Sequence, residues 1–318
     1  MLKLQTPVMP DSAPVSISYE DRILVLGSCF ADEIGSRLAV AGVDVRCNPF
    51  GTLYNPVSIG NAIARLSSAV PFTEDDVVEM GANAGKVCSL WHHTAFARDT
   101  AEAFLASANA ALAEASAFWK GCNRVVVTLG TAWAFRFNAT GETVANCLKR
   151  PGTEFTRYRL SVHQTAAILN GLAARHPNKQ FIFTVSPLRH IKDGLHGNQL
   201  SKAALLLAVD EVCKTFGNTH YFPAYEILLD ELRDYRFYKE DMVHPTEQAV
   251  RHIWERFVDF AIDPAEKPAM KAAAELKQML QHRPMFPKSE AFRRFELLKE
   301  KKTNELTRDF PKVRLENL

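Results

Sequence analysis

Apolar positions along the chain follow two rhythms. Short continuous runs at residues 22–26, 43–47, 124–129, 180–185 and 220–223 alternate with longer stretches of helical period. Unbroken runs such as Val125-Val126-Val127 and Phe181-Ile182-Phe183 predict strands buried on both faces, because a half-exposed strand would alternate with polar residues. Strands that take turns with helices predict a doubly wound, flavodoxin-like α/β fold: a parallel sheet of about five strands with helices on both faces.

The helical period predicts helices at residues 56–67, 100–119, 199–216 and 245–262. Another opens at Ser161, whose pairing with Gln164 fits a capping box, and Pro177 closes it. Residues 131–148 behave differently: two alternating stretches flank Asn138-Ala139-Thr140-Gly141, which predicts a small hairpin inserted just beyond the third sheet strand. After residue 262 the pattern breaks at Asp263, Pro264 and Pro268. Two amphipathic helices follow near 270–281 and 289–305, separated by Pro284 and Pro287. The expected organisation is one domain over residues 1–262 and a C-terminal helical extension over 263–318 packed on it. The alternative use of those helices is homo-oligomerisation or partner binding.

Composition narrows the function little. Of the 318 residues 47% are hydrophobic and 23% charged, as in ordinary globular proteins. A formal net charge of +2 supplies no field to draw nucleic acid or an anionic membrane surface. Residues 1–20 lack the apolar run of a secretory signal, and no stretch approaches the roughly 20 apolar residues of a membrane span, so the expected location is cytoplasmic. Six cysteines without C-x-x-C spacing read as packed thiols rather than zinc ligands or disulfides. Trp91-His92-His93 lacks a metal-binding pattern, and Gly27-Ser28-Cys29 lacks G-x-G-x-x-G, so neither a metal nor a dinucleotide cofactor is expected.

Two constellations carry chemistry. Gly27-Ser28-Cys29-Phe30-Ala31 follows the first apolar run and opens a helix, where unpaired N–H groups and the helix dipole favour an oxyanion. Asp241 precedes His244 by three residues, and Pro245 fixes the corner, so the carboxylate can orient the imidazole as a general base. Both follow strands of one parallel sheet, whose carboxyl edge is where ligands bind. Ser28 is then the nucleophile, His244 the base and Asp241 its orienting acid. Cys29 is read as a packed thiol, since adjacent side chains point apart. Arg189, His190 and Lys192 follow the fourth strand at the same edge and suit an anionic substrate group or a structural network with Asp193. His93 is a pocket-lining candidate, and Trp133 can stack on a sugar or simply pack.

The first constellation resembles the signature of the GSCFA domain family, a bacterial branch of the SGNH or GDSL-like hydrolase superfamily. The resemblance extends through Asn48-Pro49-Phe50-Gly51-Thr52-Leu53-Tyr54-Asn55-Pro56, Leu129-Gly130-Thr131-Ala132-Trp133, the stretch from Ser186 to Gly194, and Asp241-Met242-Val243-His244-Pro245. It implies an SGNH-type fold and a metal-independent serine esterase acting on an O-acylated carbohydrate or similar polar ester. An acyltransferase using the same site, or a catalytically weak binding protein, are the alternatives. It also implies an oxyanion hole from the N–H groups of Ser28 and Gly51. The third block of the superfamily supplies an asparagine two residues after a glycine, where this chain has Ala132 after Gly130-Thr131; Thr131 and Asn55 are the candidate replacements.

Overall fold

The computed structural model describes residues 6–10, 15–81, 85–283, 285–286 and 289–317. The chain runs β1 (Arg22–Gly27), α1 (Cys29–Val40), β2 (Asp44–Cys47), α2 (Pro56–Ser68), β3 (Val78–Glu79), β4 (Val87–Cys88), α3 (Ala101–Gly121) and β5 (Arg124–Leu129). It continues β6 (Trp133–Phe137), β7 (Thr143–Val144), β8 (Phe155–Arg159), α4 (Val162–Arg175), β9 (Gln180–Val185), α5 (Gly194–Thr215), β10 (Thr219–Tyr221), α6 (Ala224–Glu226), α7 (Glu247–Ala261), α8 (Lys267–Gln281) and α9 (Glu290–Asp309). Five strands pair in parallel in the order β10-β9-β5-β1-β2. This is the doubly wound sheet that the apolar runs predict.

Alternate residues of each strand feed two cores. Leu24, Leu26, Val125, Val127, Phe181 and Phe183 pack with α2, α3, α4 and α5 on one face. Ile23, Val25, Val126 and Ile182 pack with α1 and α7 on the other. Ala269, Met270, Ala273 and Leu276 of α8, Leu306 of α9 and Val313 join this second core. Val313 seats where a Cβ on Gly42 would lie, and Arg314 N–H donates to the Gly42 carbonyl at 2.7 Å. The end of the described chain is thus fastened beside the start of β2.

Several local predictions shift by a turn or gain a partner. The hairpin forms between β6 and β7, and β8 pairs with β6 as a third strand that the sequence pattern did not announce. Helix α5 starts at Gly194, five residues ahead of the expected 199. Pro245 lies outside α7, because Thr246 is the N-cap and its hydroxyl accepts from Ala249 N–H. The capping box at Ser161 and Gln164 is present. The breaks at Pro284 and Pro287 lie outside the described residues.

The order in the sheet fixes where the site stands. The chain leaves β1 for β2 on one side and later returns to β5 on the other, so β1 and β5 flank the topological switch point. Ser28 and Gly130 follow these two strands directly. A Cβ on Gly130 would lie 3.4 Å from that of Ser28.

Candidate active site

The corner after β1 is held by a dense set of main-chain bonds. Gly27 has φ +139°, and a Cβ there would lie 2.1 Å from the Thr128 carbonyl oxygen, which only glycine avoids. Ser28 N–H donates to that same carbonyl at 3.2 Å. From the β2 side, Asn48 Oδ1 accepts from Gly27 N–H at 2.9 Å, and Leu53 N–H donates to the Gly27 carbonyl at 2.8 Å. The Asn48–Asn55 loop is therefore sewn to the corner.

Ser28 and Cys29 divide the corner between them: the serine is buried, and the cysteine packs against the second core while staying partly exposed. Ser28 is only 1% exposed, and its Oγ accepts from Phe30 N–H at 3.4 Å as the N-cap of α1. Cys29 is partly exposed and opens the helix. Its Sγ lies 3.4 Å from the Tyr54 hydroxyl. As the first helical residue it has no intrahelical partner for its N–H, and no other partner exists among the described residues.

The Asp241–His244 pair forms as the spacing predicts. Asp241 Oδ2 meets His244 Nδ1 at 2.7 Å, while Oδ1 accepts from the N–H groups of Val243 and His244, each at 2.9 Å. Met242, at φ +56°, makes the tight turn that lets the carboxylate reach back. The His244 backbone N–H, then that of Val243, then the imidazole hold the Asp241 carboxyl down at about 2. His244 Nε2 makes no hydrogen bond to Ser28 or Cys29 among the described residues.

Two strands of contact relate the pair to the corner. Arg189 N–H donates to the Val243 carbonyl at 3.4 Å, which seats the His244 loop beside the segment after β9. The neighbouring His190 lies by the Gly130 carbonyl and feels the His244 charge; burial, then the Lys202 ammonium, pushes its imidazole down to about 4. His190 is therefore neutral near pH 7. Its ring meets the Tyr54 ring edge to face at 6.1 Å.

Three of the donors expected for an oxyanion hole, the N–H groups of Ser28, Gly51 and Thr131, are engaged by the protein itself. Gly51, at φ +81°, donates its N–H to the Asn48 carbonyl at 2.8 Å in a tight turn packed on His93. Asn55 Oδ1 caps α2 through Ser58 N–H at 2.9 Å. Thr131 donates its N–H to the Tyr54 carbonyl at 2.9 Å, and its hydroxyl meets Ser201 Oγ at 3.0 Å. These roles are structural because each atom closes a turn, a helix end or a loop contact.

The remaining site candidates separate. Arg189 stacks its guanidinium 4.4 Å from the Tyr238 ring centroid and lines a cavity of about 380 Å³ with Gln199, Arg233 and Tyr235. Lys192 is exposed. His93 caps a short 3-10 turn through Ala95 N–H at 3.2 Å. Trp133 carries the Arg157 guanidinium over one ring face at 4.2 Å. Arg157 in turn pairs with Asp193.

One residue at the site's floor was not anticipated. Lys202 of α5 is 1% exposed, and its Nζ donates to the carbonyls of Gly130 and Ser186, both at 2.7 Å. It thereby ties the ends of β5 and β9 together. Burial pushes its ammonium down to about 7, and among the described residues no carboxylate pairs with it. The readable signal was its phase: Asn198, Ser201, Leu205, Val209 and Val212 line the buried face of α5, and Lys202 stands on it.

Against known families, the profile of the GSCFA family matches residues 22–257, and that of the GSCFA domain protein C-terminal domain matches residues 273–318. The chain belongs to the GSCFA family. Its first match covers the β1 corner, the Tyr54 loop, Gly130, Lys202 and the Asp241–His244 pair, and ends within α7. No curated protein and no solved structure matches this GSCFA chain. Among its described residues no cluster of three metal-ligating side chains occurs, and no helix is long and apolar enough to cross a membrane.

Proposed function

We propose that this GSCFA protein is an acyl-transfer enzyme of the ester hydrolase type, with His244 as base, Asp241 as its orienting acid and a nucleophile from the β1–α1 corner. The observation that carries the reading is the 2.7 Å Asp241–His244 contact, which commits one ring nitrogen to the carboxylate and leaves the other without a partner among the described residues. The motif likeness to SGNH-type hydrolases supports it. Of the two corner residues, Cys29 is the favoured nucleophile: it is partly exposed, whereas Ser28 is buried and its hydroxyl caps the helix. A thiol at a helix N-terminus is also the more readily activated of the two.

The chemistry balances without a cofactor. His244 takes the thiol proton as sulfur attacks the ester carbonyl; the S–C bond forms and the C=O π pair moves to oxygen. Collapse breaks the C–O bond, and the leaving alkoxide takes the proton back from the imidazolium, leaving a thioester on Cys29. Water, deprotonated by His244, then releases the acid and regenerates the thiol. A substrate hydroxyl in place of water would give transfer instead of hydrolysis. An acylated polar alcohol or sugar is the substrate class proposed from the family likeness.

Hydrolysis of p-nitrophenyl acetate by the native protein and by Ser28→Ala, Cys29→Ala and His244→Ala tests the assignment. The expected pattern is loss of turnover in the cysteine and histidine variants, with most activity kept in Ser28→Ala. Full activity in Cys29→Ala with none in Ser28→Ala would return the nucleophile to the serine. A native protein that neither turns over nor becomes acylated would instead be a binding member of the family.

A further inference from the structure

We infer that the Tyr54 hydroxyl supplies the side-chain donor of the oxyanion hole. The inference rests on the reading of Cys29 as the nucleophile. The hydroxyl stands 3.4 Å from Cys29 Sγ and 3.3 Å from Thr52 Oγ1. A donor that binds the tetrahedral oxygen must lie about 2.7–3.1 Å from that oxygen, which is two bonds from the attacking atom. A hydroxyl 3.4 Å from the sulfur can reach that distance from an oxygen two bonds away. Burial, then the contact with Cys29, pushes the phenol up to about 12, so it keeps its proton and acts as a donor throughout neutral pH.

The loop that would have been the alternative source instead fixes Tyr54. Gly130 N–H and Thr131 N–H both donate to the Tyr54 carbonyl, at 2.8 and 2.9 Å. The Gly130–Thr131 peptide is oriented from its other end, where Lys202 Nζ holds the Gly130 carbonyl. Ammonium, peptide and Tyr54 carbonyl therefore form one continuous chain of hydrogen bonds across the switch point. Glycine leaves room in the middle of it: a Cβ on Gly130 would press on Tyr54, 3.1 Å from its carbonyl oxygen and 3.2 Å from its ring. The His190 ring closes the other side of the phenol. The missing third-block asparagine is thus answered from the second loop, and the third loop becomes a clamp.

In the tetrahedral step the phenol gives a hydrogen bond to the developing oxyanion and returns to its resting contact when the C=O re-forms. No proton leaves it. Two electrophiles on the same thiol separate this role from the alternatives. Acylation of Cys29 by p-nitrophenyl acetate passes through an oxyanion; alkylation by iodoacetamide does not. Both rates are followed by intact mass spectrometry in the native protein and in Tyr54→Phe. The expected result is an acylation rate lowered roughly 10²–10³-fold with alkylation changed less than about threefold. Acylation within about threefold of native, or a parallel fall of both rates, would overturn the inference, the latter because Tyr54 would then act on the thiol itself. Failure of the native protein to acylate at Cys29, with the thiol still alkylated, would instead strike the nucleophile assignment on which the inference stands.

Discussion

Replacing Lys202 with methionine should cost stability in a way that grows with pH. The native ammonium is buried, held down to about 7, and bound to two carbonyls. In the unfolded chain a lysine keeps its proton to about 10.4. Between those values the unfolded state binds more protons than the folded one, so native stability from this group rises with pH. Integrated from pH 7 to pH 9, the rise is about 2 kcal/mol. Methionine does not titrate, so the variant lacks it. Loss of the donors to Gly130 and Ser186 adds a pH-independent cost of about 1–3 kcal/mol for each carbonyl left unsatisfied. At pH 7 that cost is largely offset, because the variant also sheds a charge that burial disfavours. At pH 9 the offset has mostly gone. His190, the nearby imidazole that Lys202 acts on, is neutral over the whole window and does not blur the comparison. Urea unfolding of both proteins at pH 7 and pH 9, followed by tryptophan fluorescence, gives the gap directly, and other titrating groups cancel between them. A gap that stays constant to within about 0.5 kcal/mol would refute a buried, charge-disfavoured lysine at this position.

Asp241→Ala should lower kcat for an activated ester by at least about 10²-fold, because the imidazole loses the carboxylate that fixes its orientation; a variant within threefold of native would remove Asp241 from the machinery. Since the Asp241 carboxyl is held at about 2, the pair's contribution is present above the ordinary carboxylate range near 4 and is lost only as pH falls toward 2. Acidification from pH 8 to pH 5 should therefore leave the stability difference between the native protein and Asp241→Ala unchanged, and a gap that closes across that range would contradict it. Gly27→Ala places a methyl against the Thr128 carbonyl in a backbone region closed to side chains, and should destabilise by about 2–6 kcal/mol or prevent soluble folding; denaturant unfolding within 1 kcal/mol of native would show that the corner relaxes freely.

Much of the scaffold was legible because burial on both faces leaves a plain mark. The runs in β1, β5 and β9 are continuous and apolar, and each becomes a central strand. β8 was not legible: in Phe-Thr-Arg-Tyr-Arg most side chains face water, and only pairing with β6 makes it a strand. Asp241 and His244 were readable since three residues and a following proline nearly dictate their geometry. The division of labour between Ser28 and Cys29 was not, because neighbours at a helix start differ by a rotation of about 100° that only the strand's exit direction fixes. Tyr54 and Lys202 lay hidden for a related reason. The Lys202 ammonium and the Tyr54 carbonyl meet main-chain groups, which every residue type carries, and the Tyr54 hydroxyl meets Cys29 only because the folded loop brings it there.

The seating of Val313 over Gly42 bears on how this family can be cut and recombined. Two family profiles divide the chain, over residues 22–257 and 273–318, yet Ala269, Met270, Ala273, Leu276, Leu306 and Val313 fill the same apolar layer as Phe30, Ile34 and Leu38 of α1. The profile boundary is a seam in the sequence record with no matching seam in the core. A protein expressed without its last 55 or so residues would present the apolar back of α1 to solvent and should aggregate. Grafts between relatives should therefore carry α1 and the C-terminal helices together, as two sides of one joint.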